Sequence, residues 1–259
     1  MLEKRIIPIL SYYNEELVKT ISFKKRQYIG DTLNAVRIFN EKFVDELILL
    51  DIGPENRKKY NINLPFLKNL LDECFIPVTY GGAIKNLDDA KKVFELGIYK
   101  ISINSILFED ISLIEKIAKK FGSQSVVVSV DVKQDIFKNF KLYNYKYNKT
   151  FSNLDLEKYL KQIQEYGAGE ILINSVDCDG KMNGMNKKLI NWTKNICNIP
   201  IIYYGGVGNL IDIKDALNLG VDAIGCSSFF CFYGKEKSIL ITYPYKEFKK
   251  IKWKFVILV

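Results

Sequence analysis

Short runs of β-branched and other apolar residues alternate along the chain with longer amphipathic stretches. The runs predict eight strands, at Arg5–Leu10, Glu46–Asp51, Pro77–Tyr80, Lys100–Asn104, Ser125–Asp131, Ile171–Val176, Pro200–Tyr204 and Ala223–Ser227. The stretches predict helices near 32–44, 63–74, 87–97, 110–121, 153–166, 186–197 and 210–219, with an eighth beginning near Ser238. Strands that alternate with helices indicate parallel βαβ units. Eight such units predict an α/β fold, a single (β/α)8 TIM barrel, rather than an open sheet.

An internal repeat divides the predicted barrel. Ile76-Pro77 leads to Gly81-Gly82, and Ile199-Pro200 leads to Gly205-Gly206; each glycine pair precedes an amphipathic helix that ends in Leu-Gly. Chance similarity between two βαβ units is the alternative, but several features share nearly one offset. The repeat predicts one domain over residues 1–259, made of duplicated half-barrels at about 1–122 and 123–235 and a C-terminal extension over 236–259.

Composition narrows the class of protein. The chain has 259 residues, 48% of them hydrophobic, which is enough for a full-sized core. Its five widely spaced cysteines predict neither disulfides nor a metal site and suit a reducing cytoplasm. No apolar run approaches the roughly 20 residues of a membrane span, and the N-terminus does not resemble a secretory signal, so we expect a cytoplasmic protein.

The charge pattern and the missing histidine restrict the chemistry. The net charge is +8, but the lysines are scattered and no nucleic-acid-binding motif accompanies them. A solvated surface is therefore favoured over nucleic-acid binding. Because the chain contains no histidine, acid–base chemistry near neutral pH must use carboxylates, lysine, tyrosine, cysteine or a group of the substrate.

Glycines and small polar residues follow the strands where a barrel builds its active site. Gly82 and Gly206 leave backbone N–H groups open to an anion, and donors at helix N-termini can complete two phosphate cradles. Those donors are Asn104, Ser105, Ser227 and Ser228. Tight turns and N-caps are the alternative for each cluster alone. Two clusters half a barrel apart favour a phosphorylated small-molecule ligand with a phosphate at each end.

Charged residues mark both ends of the predicted strands. Asp51, Asp131 and Asp177 follow strands; N-capping is the alternative role, but a polar stretch rather than a helix follows Asp131, which makes it the best catalytic candidate. Asp179-Gly180 is interpreted as a turn. Charges of alternating sign, at Arg5, Glu46, Lys100 and Glu170, begin four strands. They predict either a ring that closes the base of the barrel or four surface charges, and the residues alone leave both open.

Residues 1–233 resemble the cyclase subunit of imidazole glycerol phosphate synthase. The matching motifs are Lys4-Arg5-Ile6-Ile7-Pro8, Asp45-Glu46-Leu47, Leu50-Asp51-Ile52, Gly81-Gly82, Ser102-Ile103-Asn104, Phe121-Gly122-Ser123-Gln124 and Gly167-Ala168-Gly169-Glu170. The resemblance implies a glutaminase partner at the base of the barrel, in a heterodimer. It also implies ammonia transfer through a gate formed by Arg5, Glu46, Lys100 and Glu170 to a phosphorylated ribonucleotide. No cofactor or metal is implied.

The resemblance also assigns the residues at the top of the barrel. It implies catalytic roles for Asp131, Lys19 and the position of Ser11, where the family has its first catalytic Asp. Its substrate-binding positions are Asp51, Gly82, Ala83, Asn104, Ser105, Asp177, Gly180, Gly206, Ser227 and Ser228. A serine hydroxyl cannot shuttle protons as a carboxylate does near pH 7.

Three functions follow as hypotheses. The leading one is a diverged lyase-type cyclase subunit that helps deliver ammonia to a bacterial surface nucleotide sugar, with a sugar amidotransferase as a further partner. The second is the histidine-biosynthesis cyclase itself, against which Ser11 counts. The third is a scaffold that only activates the glutaminase, against which Asp131 counts.

Overall fold

Eight parallel strands close on themselves and form the centre of the molecule. The computed structural model describes residues 3–53, 60–151, 154–234 and 236–256. Its strands are β1 (Arg5–Tyr13), β2 (Glu16–Ile21), β3 (Lys24–Asp31), β4 (Leu47–Asp51), β5 (Val78–Gly81), β6 (Lys100–Ile103), β7 (Val126–Gln134), β8 (Phe140–Asn144), β9 (Lys149–Phe151), β10 (Glu170–Ser175), β11 (Ile201–Tyr204), β12 (Ala223–Cys226), β13 (Phe232–Tyr233) and β14 (Ser238–Ile239). The parallel order is β1-β4-β5-β6-β7-β10-β11-β12, and β12 pairs again with β1. This closure confirms the predicted (β/α)8 barrel.

Amphipathic helices cover the outside of the barrel. They are α1 (Thr32–Glu41), α2 (Leu64–Asp72), α3 (Leu87–Glu95), α4 (Leu113–Phe121), α5 (Leu156–Glu165), α6 (Lys187–Lys194), α7 (Leu210–Asn218), α8 (Ser228–Cys231) and α9 (Tyr245–Val256). Several begin at an Asp or Asn whose side chain accepts a hydrogen bond from the first turn, as Asp31 does from the Asn34 N–H group. None of the helices within the described ranges has the length and apolar character needed to cross a membrane.

Two antiparallel hairpins extend the barrel strands at its top, and the apolar pattern does not predict them. β1 continues to Tyr13 and pairs with β2, which in turn pairs with β3. β7 continues to Gln134 and pairs with β8, which in turn pairs with β9. Phe23, which lies between β2 and β3, contacts the rings of Tyr143 and Tyr145 at 6.0 and 5.6 Å between centroids. The hairpins therefore meet above the barrel and form the sides of its opening.

The prediction that an eighth helix begins near Ser238 is wrong. Ser238 and Ile239 form β14, which pairs with β13, and residues 240–244 form no helix because the β-branched residues of this segment disfavour one. The outer helix is α9, which begins directly after Pro244. The predicted helix over 153–166 begins later, at Leu156 after the N-cap Asp155, and residue 153 lies outside the described residues. The division into half-barrels stays a prediction.

The C-terminal helix completes the outer core. Phe248 is buried, and its ring lies 4.8 Å from that of Tyr243 and 5.9 Å from that of Phe230. The Tyr243 hydroxyl donates a hydrogen bond of 3.1 Å to the Ile6 carbonyl in β1. Residues of the C-terminal segment therefore hold the seam where β12 meets β1.

Replacing Phe248 by alanine should lower the free energy of unfolding by about 3–5 kcal/mol, because the substitution leaves a cavity in this aromatic cluster. Urea unfolding measures the change. Tyr245→Ala, at an exposed position of the same helix, is the control and should cost under about 1 kcal/mol. Equal losses in the two variants would show that α9 is not part of the cooperative core.

Candidate functional site

A cavity of about 800 Å³ opens at the carboxyl ends of the barrel strands. We call it the main cavity. It collects most of the residues that the sequence assigns to the site: Ser11, Lys19, Asp51, Gly82, Ala83, Asn104, Ser105, Asp131 and Ser228. These residues come from six barrel strands and their loops, so only closure of the sheet brings them together. Its size and a largely apolar lining with several polar side chains suit a small-molecule ligand.

Asp131 lies in the wall of the main cavity and is held by two amides. Its carboxylate accepts hydrogen bonds from Asn104 Nδ2 at 2.7 Å and from Asn174 Nδ2 at 3.0 Å. Only 5% of the residue is exposed. Two donors from the flanking strands fix the orientation of the carboxylate before any ligand arrives. Preorganisation of this kind is what general acid–base chemistry requires.

Lys19 and Asp179 are two further ionisable side chains in the main cavity. Burial lowers the pKa of Lys19, an effect that the nearby Cys231 and Asp179 partly offset, and its Nζ donates to the Ile9 carbonyl at 3.1 Å. Burial raises the pKa of Asp179 to about 6, against the opposing effects of the Lys19 charge and a hydrogen bond with Tyr204. Two groups with strongly perturbed pKa values in one cavity are typical of a functional site.

The sequence does not reveal Asp179 as a site residue. Its Asp-Gly dipeptide does form a turn, with Gly180 at a φ of +71°. The turn packs so closely on β2 that an added Cβ at Gly180 would clash with the Thr20 carbonyl. Asp179 therefore lies close enough to feel the charge of Lys19 only because the unpredicted β2–β3 hairpin lies there, and no local signal in the sequence indicates that proximity.

Asp51 contacts both the residues that follow its own strand, β4, and the loop after β5. Its carboxylate accepts hydrogen bonds from the Gly53 N–H group at 2.9 Å and from the Tyr60 hydroxyl at 2.8 Å. Gly82 has a φ of +141°, and a Cβ added there would lie 2.5 Å from the Asp51 Cβ, so only glycine fits. Ala83 follows with a φ of +53°. The loop thus passes directly against the Asp51 backbone at the cavity wall.

The second predicted phosphate site lies apart from the first. Gly180, Gly206, Ser227 and Ser228 line a second cavity of about 10 Å³, roughly the space of one water molecule. Asp177 lines neither cavity, and its carboxylate accepts a hydrogen bond of 2.7 Å from the Gln134 N–H group at the end of β7. The structure therefore brings the predicted residues together in two unequal groups and sets Asp177 outside both.

Four charged side chains meet at the opposite end of the barrel. Arg5 pairs with Glu46 at 2.7 Å and also with Glu170; Lys100 pairs with Glu46 at 3.3 Å and with Glu170 at 2.9 Å. The Thr79 hydroxyl donates to Glu46 at 2.6 Å. We call Arg5, Glu46, Lys100 and Glu170 the base ring. Each charge in it contacts two of opposite sign, so the ring is closed and neutral, which suits its burial.

Apolar side chains fill the barrel between the base ring and the main cavity. They form an inner cluster distinct from the core under the helices, and its buried members are Ile7, Ile9, Ile48, Val127, Leu172, Ile202, Tyr204 and Ala223. The axis of the barrel thus passes from charged to apolar to polar residues.

Comparison with known proteins gives one consistent family. The model of the histidine biosynthesis protein family matches residues 5–236. A Pseudomonas aeruginosa protein, provisionally named imidazole glycerol phosphate synthase subunit hisF2, is 41% identical over 245 residues, which are 94% of this chain and 97% of the relative. Imidazole glycerol phosphate synthase subunit HisF of Dictyoglomus thermophilum is 36% identical over 251 residues, 93% of this chain and 99% of the relative.

The raised pKa of Asp179 predicts a pH-dependent stability. The folded protein binds this proton up to about pH 6, whereas the unfolded chain releases it near pH 4. The contribution of Asp179 to the free energy of unfolding should therefore decrease as the pH rises from about 4 to about 6. Asp179→Asn should remove this decrease, so that the variant gains about 1–3 kcal/mol relative to wild type between pH 4 and pH 7. Urea unfolding at pH 4 and at pH 7 measures the gain.

Asp88→Asn, at an exposed position of α3, is the control. Equal pH dependence in wild type and in both variants would contradict the prediction.

Proposed function

The chain belongs to the histidine biosynthesis protein family, as a cyclase-type subunit like that of imidazole glycerol phosphate synthase, and from this premise we propose that it receives ammonia from a glutaminase at its base. The ammonia passes along the barrel axis to a phosphorylated ligand in the main cavity. The glutaminase forms a heterodimer with the barrel.

The base ring is the observation that carries this proposal. Its charges close the narrow end of the barrel, and the inner apolar cluster lies directly above them. Ammonia is small and neutral, so it can cross an apolar interior, whereas ammonium or another ion would lose its hydration there at a large cost. Lys100 contacts both glutamates of the ring, and rotation of this one side chain would open the path while Arg5 keeps the glutamates paired.

Asp131 supports a role in chemistry rather than in scaffolding alone. Two amides orient its carboxylate in a cavity large enough for a substrate. A barrel that only activated a glutaminase would have no use for an oriented carboxylate at its far end. We therefore expect lyase-type chemistry, as in the family, at the top of the barrel.

Ser11 favours an altered acceptor. It lines the main cavity at the position where the family has its first catalytic Asp, and it offers no carboxylate to pair with Asp131. We propose that the acceptor is a bacterial surface nucleotide sugar, aminated with the help of a sugar amidotransferase, and that cyclisation of the histidine-pathway ribonucleotide is weak or absent.

Opening the base ring should uncouple glutamine hydrolysis from amination. Glu46→Ala or Lys100→Ala leaves buried charges without one of their partners and opens a path by which ammonia escapes to solvent. With the cognate glutaminase bound, glutamine-dependent amination should fall at least tenfold, while amination with supplied ammonium salts should change less than twofold. Lys68→Ala, which removes an exposed ion pair on α2, is the control. Full coupling in both ring variants would contradict transport through the base.

Wild-type protein supplied with ammonia should turn over the histidine-pathway ribonucleotide about 10²–10⁴ times more slowly than a cyclase with both carboxylates, because one partner of the acid–base pair is missing. Ser11→Asp should raise the rate, and Ser105→Asp, on another wall of the same cavity, should not. Spectrophotometric assay of imidazole glycerol phosphate formation measures it. Rapid wild-type turnover would instead support the histidine-biosynthesis function.

A further inference from the structure

The two halves of the barrel differ at the last inward position of equivalent strands, β5 and β11. Tyr80 of β5 and Tyr203 of β11 both pack in the outer core, whereas the residues before them, Thr79 and Ile202, face inward. The next inward positions are therefore Gly81 and Tyr204. In this register, Gly81 corresponds to Tyr204, Gly82 to Gly205 and Ala83 to Gly206. The sequence repeat instead suggests that Gly81-Gly82 corresponds to Gly205-Gly206, which is one residue off. Backbone conformation agrees, since the two residues that follow have positive φ in each half: +141° and +53° after β5, and +108° and +95° after β11.

The exchange of glycine for tyrosine decides how much space each half leaves. Gly81 lines the main cavity without a side chain. Tyr204 lines both cavities together with Asp179 and Ser228, so these three residues form the wall between them. Tyr204 is by far the largest of the three. The main cavity has about 800 Å³ and the second cavity about 10 Å³.

Tyr204 is fixed in this position at both ends of its side chain. Its ring belongs to the inner apolar cluster and only 8% of the residue is exposed. Its hydroxyl is hydrogen-bonded to Asp179 and to Ser227, and Ser227 in turn donates to the Ile9 carbonyl. A buried tyrosine hydroxyl needs such partners. Rotating the ring out of the wall would break these contacts, so the wall is a permanent part of the site.

We propose that Tyr204 determines specificity by filling the second anion subsite, so that this barrel binds a phosphate group of its ligand on the Asn104 side only. The retained subsite is the one formed by Gly82, Asn104 and Ser105. The subsite near Gly206 and Ser228 has room for about one water molecule, and a phosphate group has five heavy atoms. This inference rests on the proposed phosphorylated ligand and narrows the two-ended ligand that the sequence predicts.

Inorganic phosphate tests the proposal directly. Wild-type protein should bind one phosphate, on the Asn104 side, and Tyr204→Ser should bind a second near Gly206 and Ser228. Titration gives the number of ions bound, and crystal structures grown in phosphate give their positions. Tyr204→Phe keeps the ring and should still bind one. Tyr203→Phe, on the outer face of the same strand, controls for general effects on β11.

The possible failures are distinct. A wild-type phosphate at the Gly206 side, or no second phosphate in a folded Tyr204→Ser protein, would overturn the role of Tyr204 and leave the proposed function intact. Absence of phosphate from the Asn104 side in every variant would instead contradict the phosphorylated ligand, and with it the proposed role of Tyr204. A second phosphate in Tyr204→Phe would show that the hydroxyl contacts, rather than the ring volume, exclude the anion, which would also overturn the proposal.

Discussion

Alternation of side chains along parallel strands is the constraint on which the rest of this structure depends. Once the sheet closes, every second residue of a strand must face the axis, and its height along the strand sets its surroundings. β1 shows the whole sequence of layers: Arg5 joins the base ring, Ile7 and Ile9 join the inner apolar cluster, and Ser11 lines the main cavity. The intervening residues, such as Ile6 and Leu10, pack under the helices. A single strand therefore connects the proposed entry for ammonia to the proposed site of its use.

The sequence predicts the features that this alternation controls. The eight parallel strands, the closed barrel and the position of Arg5, Glu46, Lys100 and Glu170 at strand starts all follow from periodic patterns and from order along the chain. That the four charges pair in one ring does not follow, because surface charges at strand entrances would look the same. Closure of the barrel, which the pattern cannot measure, brings Arg5 within 2.7 Å of Glu46, and Lys100 within 2.9 Å of Glu170 and 3.3 Å of Glu46.

The features that the sequence does not predict depend on contacts between distant segments. Asp179 reads as a turn residue because the β2–β3 hairpin that places Lys19 beside it has no strong apolar period. From the sequence, Tyr204 is indistinguishable from other apolar strand residues, because the glycine pairs suggest a match between β5 and β11 that differs by one residue from the register in the structure. The wrong start of the last helix has a different cause, since β-branched residues up to Pro244 compete with the helical pattern. For Asp179 and Tyr204, tertiary contact rather than local preference decides the outcome.

The two ends of the barrel respond differently to substitution, and this difference bears on function. At the base, removing one charge leaves a buried partner uncompensated, which costs about 3–5 kcal/mol, so single changes are resisted. At the top, Ser11 and Tyr204 border a cavity, where a change of side chain alters chemistry or space more than folding. A base of well-packed apolar residues would be about as stable as the paired ring, so stability alone does not account for charges there. Charges at the base suit the proposed role, in which ammonia is admitted and ions are excluded at that end. A charged base below Ser11 and Tyr204 therefore agrees with the proposed function, in which the barrel receives ammonia at its base and uses it on an altered acceptor at its top.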